Sequence, residues 1–99
     1  MKTLEEIKQI LRAQKSHLAT EYGVAEIGIF GSYVRGEQQP DSDIDVLIEL
    51  EEPPRIDLFD LVNLEVHLSD LLGVNADVAI KGDLRKRIGK RIMSEVVLV

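Results

Sequence analysis

Asp43-Ile44-Asp45-Val46-Leu47-Ile48-Glu49-Leu50 is the stretch on which the fold turns. Its residues alternate in character, and a β-strand sends successive side chains to opposite faces. Ile44, Val46, Ile48 and Leu50 therefore share one face, and Asp43, Asp45, Leu47 and Glu49 share the other. Pro53-Pro54 ends the run, because proline has no N–H to give a sheet ladder. On the N-terminal side, Gly31 to Ser42 reads as a polar connection holding the turn residues Gly31, Gly36 and Pro40. Before it, Val24 to Phe30 reads as a short buried strand, and beyond Pro54 a third strand is expected over Ala76 to Ile80.

Helices fill the intervals. Thr3-Leu4-Glu5-Glu6 has the form of a capping box, in which the hydroxyl and the carboxylate satisfy each other's orphan N–H groups. Leu4, Ile7, Leu11 and Leu18 follow at helical spacing with Ile10 beside them, so a helix is predicted to about Tyr22, stopping near Gly23. Asp57 can cap a second helix whose apolar stripe is Leu58, Leu61, Val62, Leu68, Leu71 and Leu72, closed by Gly73. Asp83 is placed to cap a short basic helix through about Met93, on Leu84, Ile88 and Ile92, with Val96 to Val99 as a last edge strand. The order α-β-β-α-β-α, closed by this β, predicts one α/β (α+β) domain over residues 1–99, with a small mixed sheet packed against helices. The pattern does not fix which neighbouring strands run parallel.

Composition narrows the function. The 99 residues are 44% apolar and 30% charged, which suits a globular domain with one modest core. With aromatics at 4%, that core must be mostly Ile, Leu and Val. No apolar run approaches the ~20 residues needed to span a bilayer, and the polar start lacks the apolar stretch of a signal peptide. With no cysteine there are no disulfides or thiolate metal sites, which is compatible with the reducing cytoplasm where the protein is expected. A net charge of −6 makes it a poor generic binder of nucleic acid or of anionic membrane. Half of the 18 acidic residues lie between Glu37 and Asp60, and half of the 12 basic ones between Lys81 and Arg91. That division suits a site holding a cation and a phosphate together, but two solvated faces of opposite sign explain it as well.

The chemistry gathers at Gly31-Ser32 and, ten residues later, Asp43-Ile44-Asp45. Carboxylates at i and i+2 of a strand share a face with Cα atoms about 6.5–7 Å apart, so both can reach one ion or a close ion pair. Mg²⁺ prefers oxygen ligands and completes its shell with substrate phosphates. Two such ions can clamp the attacking and leaving oxygens of an in-line displacement at phosphorus. Glycine lets backbone approach a bulky anion, and the Ser32 hydroxyl with adjacent N–H groups can donate to phosphate oxygens. Asp77 stands inside an apolar strand, a costly place for a carboxylate without a partner or a metal. Beside Asp43 and Asp45 it would complete the metal shell or help deprotonate an attacking hydroxyl.

Arg35 reads equally as a triphosphate contact or as an ion-pair partner of Glu37 or another carboxylate. Tyr33 reads as packing or rim. His17 and His67 have no metal-ligand partner at i+4 and read as surface or helix-packing residues. Nothing places either beside Ser32, so a serine nucleophile is excluded.

Gly31-Ser32-Tyr33-Val34-Arg35-Gly36 with Ser42-Asp43-Ile44-Asp45-Val46-Leu47 resembles the minimal nucleotidyltransferases of the DNA polymerase beta superfamily, in particular the antitoxins of HEPN–MNT toxin–antitoxin pairs. The likeness runs over nearly the whole chain, with Val34 standing where a small residue such as Ala is expected. It implies metal binding by Asp43, Asp45 and Asp77, and Gly31 and Ser32 at the nucleotide phosphates. It also implies ATP as the substrate, Mg²⁺ as cofactor, and transfer of AMP to a tyrosine of a HEPN ribonuclease toxin. Two other readings stay open: an antitoxin acting by binding alone, and a nucleotidyltransferase acting on a small-molecule hydroxyl.

Overall fold

The computed structural model describes residues 2–83 and 86–99, with side chains at all of these but 86–88. The Thr3 hydroxyl accepts from the Glu6 N–H at 3.2 Å while Glu6 accepts from the Thr3 N–H at 3.0 Å. This box opens helix α1, Leu4–Tyr22, which stops at Gly23 with φ 67°, a left-handed cap that glycine adopts without strain. Strand β1 is Val24–Phe30, followed by a one-turn helix α2, Ser32–Arg35, and by β2, Ile44–Leu50. Asp57 and Asp60 exchange a second capping box at 3.0 Å in both directions, opening α3, Leu58–Leu72. Strand β3 is Ala76–Ile80, then come a 3-10 turn, Lys81–Asp83, helix α4, Lys86–Glu95, and β4, Val97–Leu98.

The four strands lie in the order β3-β2-β1-β4. β1 runs antiparallel to both β2 and β4, and β2 runs parallel to β3. The sheet is therefore mixed, as the element order predicts. The parallel pair is joined by α3, the crossover helix such a pair requires. Ile7, Leu11 and Leu18 of α1 and Leu64, Leu68 and Leu72 of α3 form one buried cluster with Ile27, Ile29, Ile44, Val46 and Ile48. Burying each such side chain contributes about 1.5–3 kcal/mol. The alternation read in β2 holds, since Ile44, Val46 and Ile48 face this core.

One expectation is corrected. In α3 the core stripe is Leu64, Leu68 and Leu72 with Leu61 and Leu71 at its margin, whereas Leu58 and Val62 are exposed. Positions 61, 64, 68 and 71 repeat every three to four residues, so they set the inward face and leave 58 and 62 off it. Asp83 belongs to the 3-10 turn, and α4 is described only from Lys86. Leu84 and the side chain of Ile88 lie outside the described residues, while Ile92 is buried as expected.

β3 is an edge strand, and its outward amides at Ala76 and Val78 are already occupied. The Ala76 N–H donates to Ser69 Oγ at 2.9 Å and the Val78 N–H to Glu65 Oε2 at 3.0 Å. Both acceptors come from α3, which covers an edge that would otherwise invite further strand pairing.

Candidate active site

Strand register builds the site. Phe30 pairs with Asp45 across the antiparallel ladder, so the residue after the strand, Gly31, lands beside the Asp45 side chain. Gly31 has φ 81° and ψ −152°, and a Cβ built on it would stand 2.1 Å from Oδ2 of Asp45. Both the backbone conformation and the free space restrict this position to glycine. On the other side, Asp45 is the Cα partner of Asp77 in the parallel ladder. Paired residues of neighbouring strands project to the same face, so the two carboxylates stand side by side. Asp43, two residues before Asp45, lies at the mouth of the same face and is exposed, as is Asp77.

Asp45 is the half-buried member, and its pKa is raised above the ordinary carboxylate value. Burial is the largest cause, followed by the negative charges of Asp77 and Asp43, while Arg35 pulls the other way. The three aspartates thus act on one another, and a cation placed among them would relieve that repulsion. Among the described residues no three His, Cys, Asp or Glu side chains are already gathered as a metal-holding group. Mg²⁺ does not demand such a cage, because one or two carboxylates plus substrate phosphates and water commonly complete its shell.

At the Gly-Ser corner, the Gly31 carbonyl accepts from the N–H groups of Val34 at 3.1 Å and Arg35 at 3.2 Å, which winds α2. The amides of Ser32 and Tyr33 open that turn and have no intrahelical acceptor. They and the Ser32 hydroxyl are the donors this corner offers to an anion. Tyr33 is buried among the core side chains, and Val34 is half-buried against the same core, so a residue larger than Ala is accommodated there. His17 and His67 meet across α1 and α3 with ring centroids 5.6 Å apart, a helix-packing contact.

Of the two readings of Arg35, a triphosphate contact or an ion-pair partner, the structure shows the second: it is held by carboxylates. Its Nε donates to Glu37 at 3.2 Å and its Nη1 to Glu95 at 3.1 Å. Glu95, at the end of α4, was not singled out from the sequence. Its Oε1 also accepts the Gly31 N–H at 3.0 Å, so one carboxylate fixes both the glycine and the arginine of the corner. One sequence signal was available: an acidic residue closes a helix whose C-terminal end favours cations, so another interaction must hold it there.

Glu95 is therefore a positioning residue. Glu95→Ala leaves the Gly31 N–H and the Arg35 guanidinium without their acceptor, at a cost of about 1–3 kcal/mol in stability. We expect the activity of this corner to fall about tenfold, chiefly through a raised KM for the anion it binds. Glu95→Gln, which keeps an acceptor oxygen for Gly31, should recover part of the loss. Equal loss in kcat and KM terms with no recovery by Gln would remove this role.

The nucleotidyltransferase domain family model matches residues 4–99. The chain belongs to that family. The protein adenylyltransferase MntA of Thermococcus cleftensis is 48% identical to this nucleotidyltransferase over 99 residues, covering 100% of this chain and 98% of that protein. A solved structure described as a candidate minimal nucleotidyltransferase superposes with a TM-score of 0.81 at 32% identity, covering 99% of this chain and 97% of that one. A chain of the complex between a tri-AMPylated HEPN toxin of Shewanella oneidensis and its MNT antitoxin matches with a TM-score of 0.61 at 17% identity, over 95% of this chain and 66% of that one. This last likeness is one of fold. No helix among the described residues is long and apolar enough to cross a membrane.

Proposed function

We propose that this nucleotidyltransferase is an antitoxin that transfers AMP from ATP to a tyrosine hydroxyl of a HEPN-family ribonuclease toxin and so neutralises it. The observation that carries the reading is the register: Asp45 lies in line with Asp77 on one side and against the side-chain-free Gly31 on the other. A family that moves nucleotidyl groups, and a relative named as a protein adenylyltransferase that matches end to end, supply the direction.

The donor set fits Mg²⁺, being all carboxylate oxygen with a half-buried member that its neighbours' charges disfavour as an anion. Asp43, Asp45 and Asp77 would hold the metal, whose chemistry there is to neutralise negative charge on the triphosphate and the departing pyrophosphate. The rest falls to the chain's own groups. The amides of Ser32 and Tyr33 and the Ser32 hydroxyl donate to phosphate oxygens and fix the triphosphate against the sheet. Gly31 keeps the backbone clear so that phosphate and the Asp45 carboxylate can share the corner. The acceptor oxygen bonds to the α-phosphorus, the bond from that phosphorus to the bridging oxygen breaks, and pyrophosphate leaves with the electron pair. Asp77, open to solvent at the sheet margin, would take the proton of the acceptor hydroxyl.

The test is incubation of the chain with a HEPN toxin, Mg²⁺ and ATP labelled on the α-phosphate. Label on a toxin tyrosine, with loss of ribonuclease activity, is expected. Label on a small hydroxyl compound in the absence of any protein acceptor would redirect the reading to a small-molecule transferase.

A further inference from the structure

We propose that the outer face of α3, running from Leu58 and Phe59 through Val62 to Val66, is the surface on which the acceptor protein docks. The inference rests on the protein-transfer reading above and adds the place and chemistry of contact.

The face is apolar and bare. Leu58 is 72% exposed, Phe59 80%, Val62 50% and Val66 55%. Positions 58, 62 and 66 are spaced by four, so they lie in one line along the helix, with Phe59 three residues before Val62. A contiguous exposed ridge of large apolar residues marks an interaction site more often than scattered ones do. None of the four is needed for the core, whose α3 contacts are Leu61, Leu64, Leu68, Leu71 and Leu72.

Its position ties it to the chemistry. A groove of about 360 Å³ is lined by Val62, Glu65, Val66, Asp70, Asn75 and Asp77. Its lining thus takes in both Val62 and Val66 of the apolar ridge and the aspartate paired in register with Asp45. A protein seated on the ridge would lay a side chain along the groove and deliver its hydroxyl at Asp77. β3 offers no competing mode through Ala76 and Val78, whose outward N–H groups already bond to Ser69 and Glu65.

Charge selects the occupant. From Asp57 to Leu72 the chain carries Asp57, Asp60, Glu65 and Asp70 and not one Lys or Arg. The matching partner is a protein face with an apolar stripe flanked by Lys or Arg. A second copy presenting this same face would set acid against acid. A nucleic acid would meet charge of its own sign.

The experiment measures binding of a HEPN toxin by the full chain, and label transfer from ATP, for wild type, Val62→Glu/Val66→Glu and Asp70→Lys. Circular dichroism confirms the fold, and the affinity for a non-hydrolysable ATP analogue serves as an internal control. The double variant should weaken toxin binding more than about tenfold, the scale of lost interface anchors. Asp70→Lys should weaken it a few-fold. Analogue affinity should stay at the wild-type value in both, and excess toxin should restore transfer. Undiminished toxin binding in both variants overturns the docking face, as does a wild-type chain that binds no toxin. So does sedimentation showing that wild type self-associates through this ridge. Wild-type binding that depends on the ridge but yields no labelled tyrosine instead sinks the transfer reading and leaves the docking face standing.

Discussion

Asp45→Asn should lower AMP transfer roughly 10³-fold, the scale seen when one preorganised electrostatic group is removed from a reaction centre. The size of the effect follows from position. Asp45 is the carboxylate that meets Gly31, Asp77 and the charge of Asp43 together, and the most buried of the three aspartates. Asparagine keeps its shape and one acceptor oxygen but removes the charge a divalent cation would answer. The same substitution should not lower the melting temperature of the metal-free protein. Burial and two negative neighbours raise the pKa of Asp45 in the folded chain, so around neutral pH its charge opposes folding. The sign follows from linkage: a carboxylate with a raised folded pKa costs stability as pH rises through that value, and the neutral amide escapes the cost. Transfer measured with α-labelled ATP, beside a thermal melt without Mg²⁺, checks both halves. A variant that neutralises the toxin fully while transferring no label would show that neutralisation proceeds by binding alone.

Gly31→Ala should be nearly as damaging to activity and, unlike Asp45→Asn, damaging to the fold. At φ 81° an alanine is strained, at a cost of order 1–3 kcal/mol. Its methyl group would also lie 2.1 Å from Oδ2 of Asp45, well inside contact distance, so the carboxylate must swing away. A misplacement on the 1 Å scale can cost about 10²-fold in rate. The melting temperature and kcat/KM should therefore fall together. Asp45→Gly in the same chain would relieve the clash without restoring transfer, separating strain from chemistry.

Much of this corner was legible in eight residues. The Ile44, Val46, Ile48 repeat fixed which face of β2 is buried, and hence which face Asp43 and Asp45 must share. The spacing from Gly31-Ser32 to Asp43 and Asp45 marked a polar connection between two strands, and the Phe30–Asp45 pairing shows how that connection brings its two ends together. Strand direction was not legible, because period-2 alternation is the same in parallel and antiparallel ladders. Glu95 escaped for a different reason. Its two partners, Gly31 and Arg35, lie 64 and 60 residues away, and no local period encodes a contact that only the closed sheet creates. Leu58 and Val62 were misplaced into the core because apolar residues at the start of a helix look alike whether they face inward or outward. Leu64, with Leu68 and Leu72, decides the inward face, and packing on the sheet selects it.

The account depends most on one physical statement: a divalent cation and a triphosphate share the space between Asp45, Asp77 and Gly31. Titrating the ¹⁵N-labelled chain with Mn²⁺ and a non-hydrolysable ATP analogue measures this directly, since the paramagnetic ion broadens nearby amide signals. The broadening should centre on residues 31, 32, 45 and 77, require the analogue for full effect, and vanish in Asp45→Asn. Broadening centred instead at the far end of the sheet, around the Glu49–Lys81 pair, or unchanged by Asp45→Asn, would contradict it.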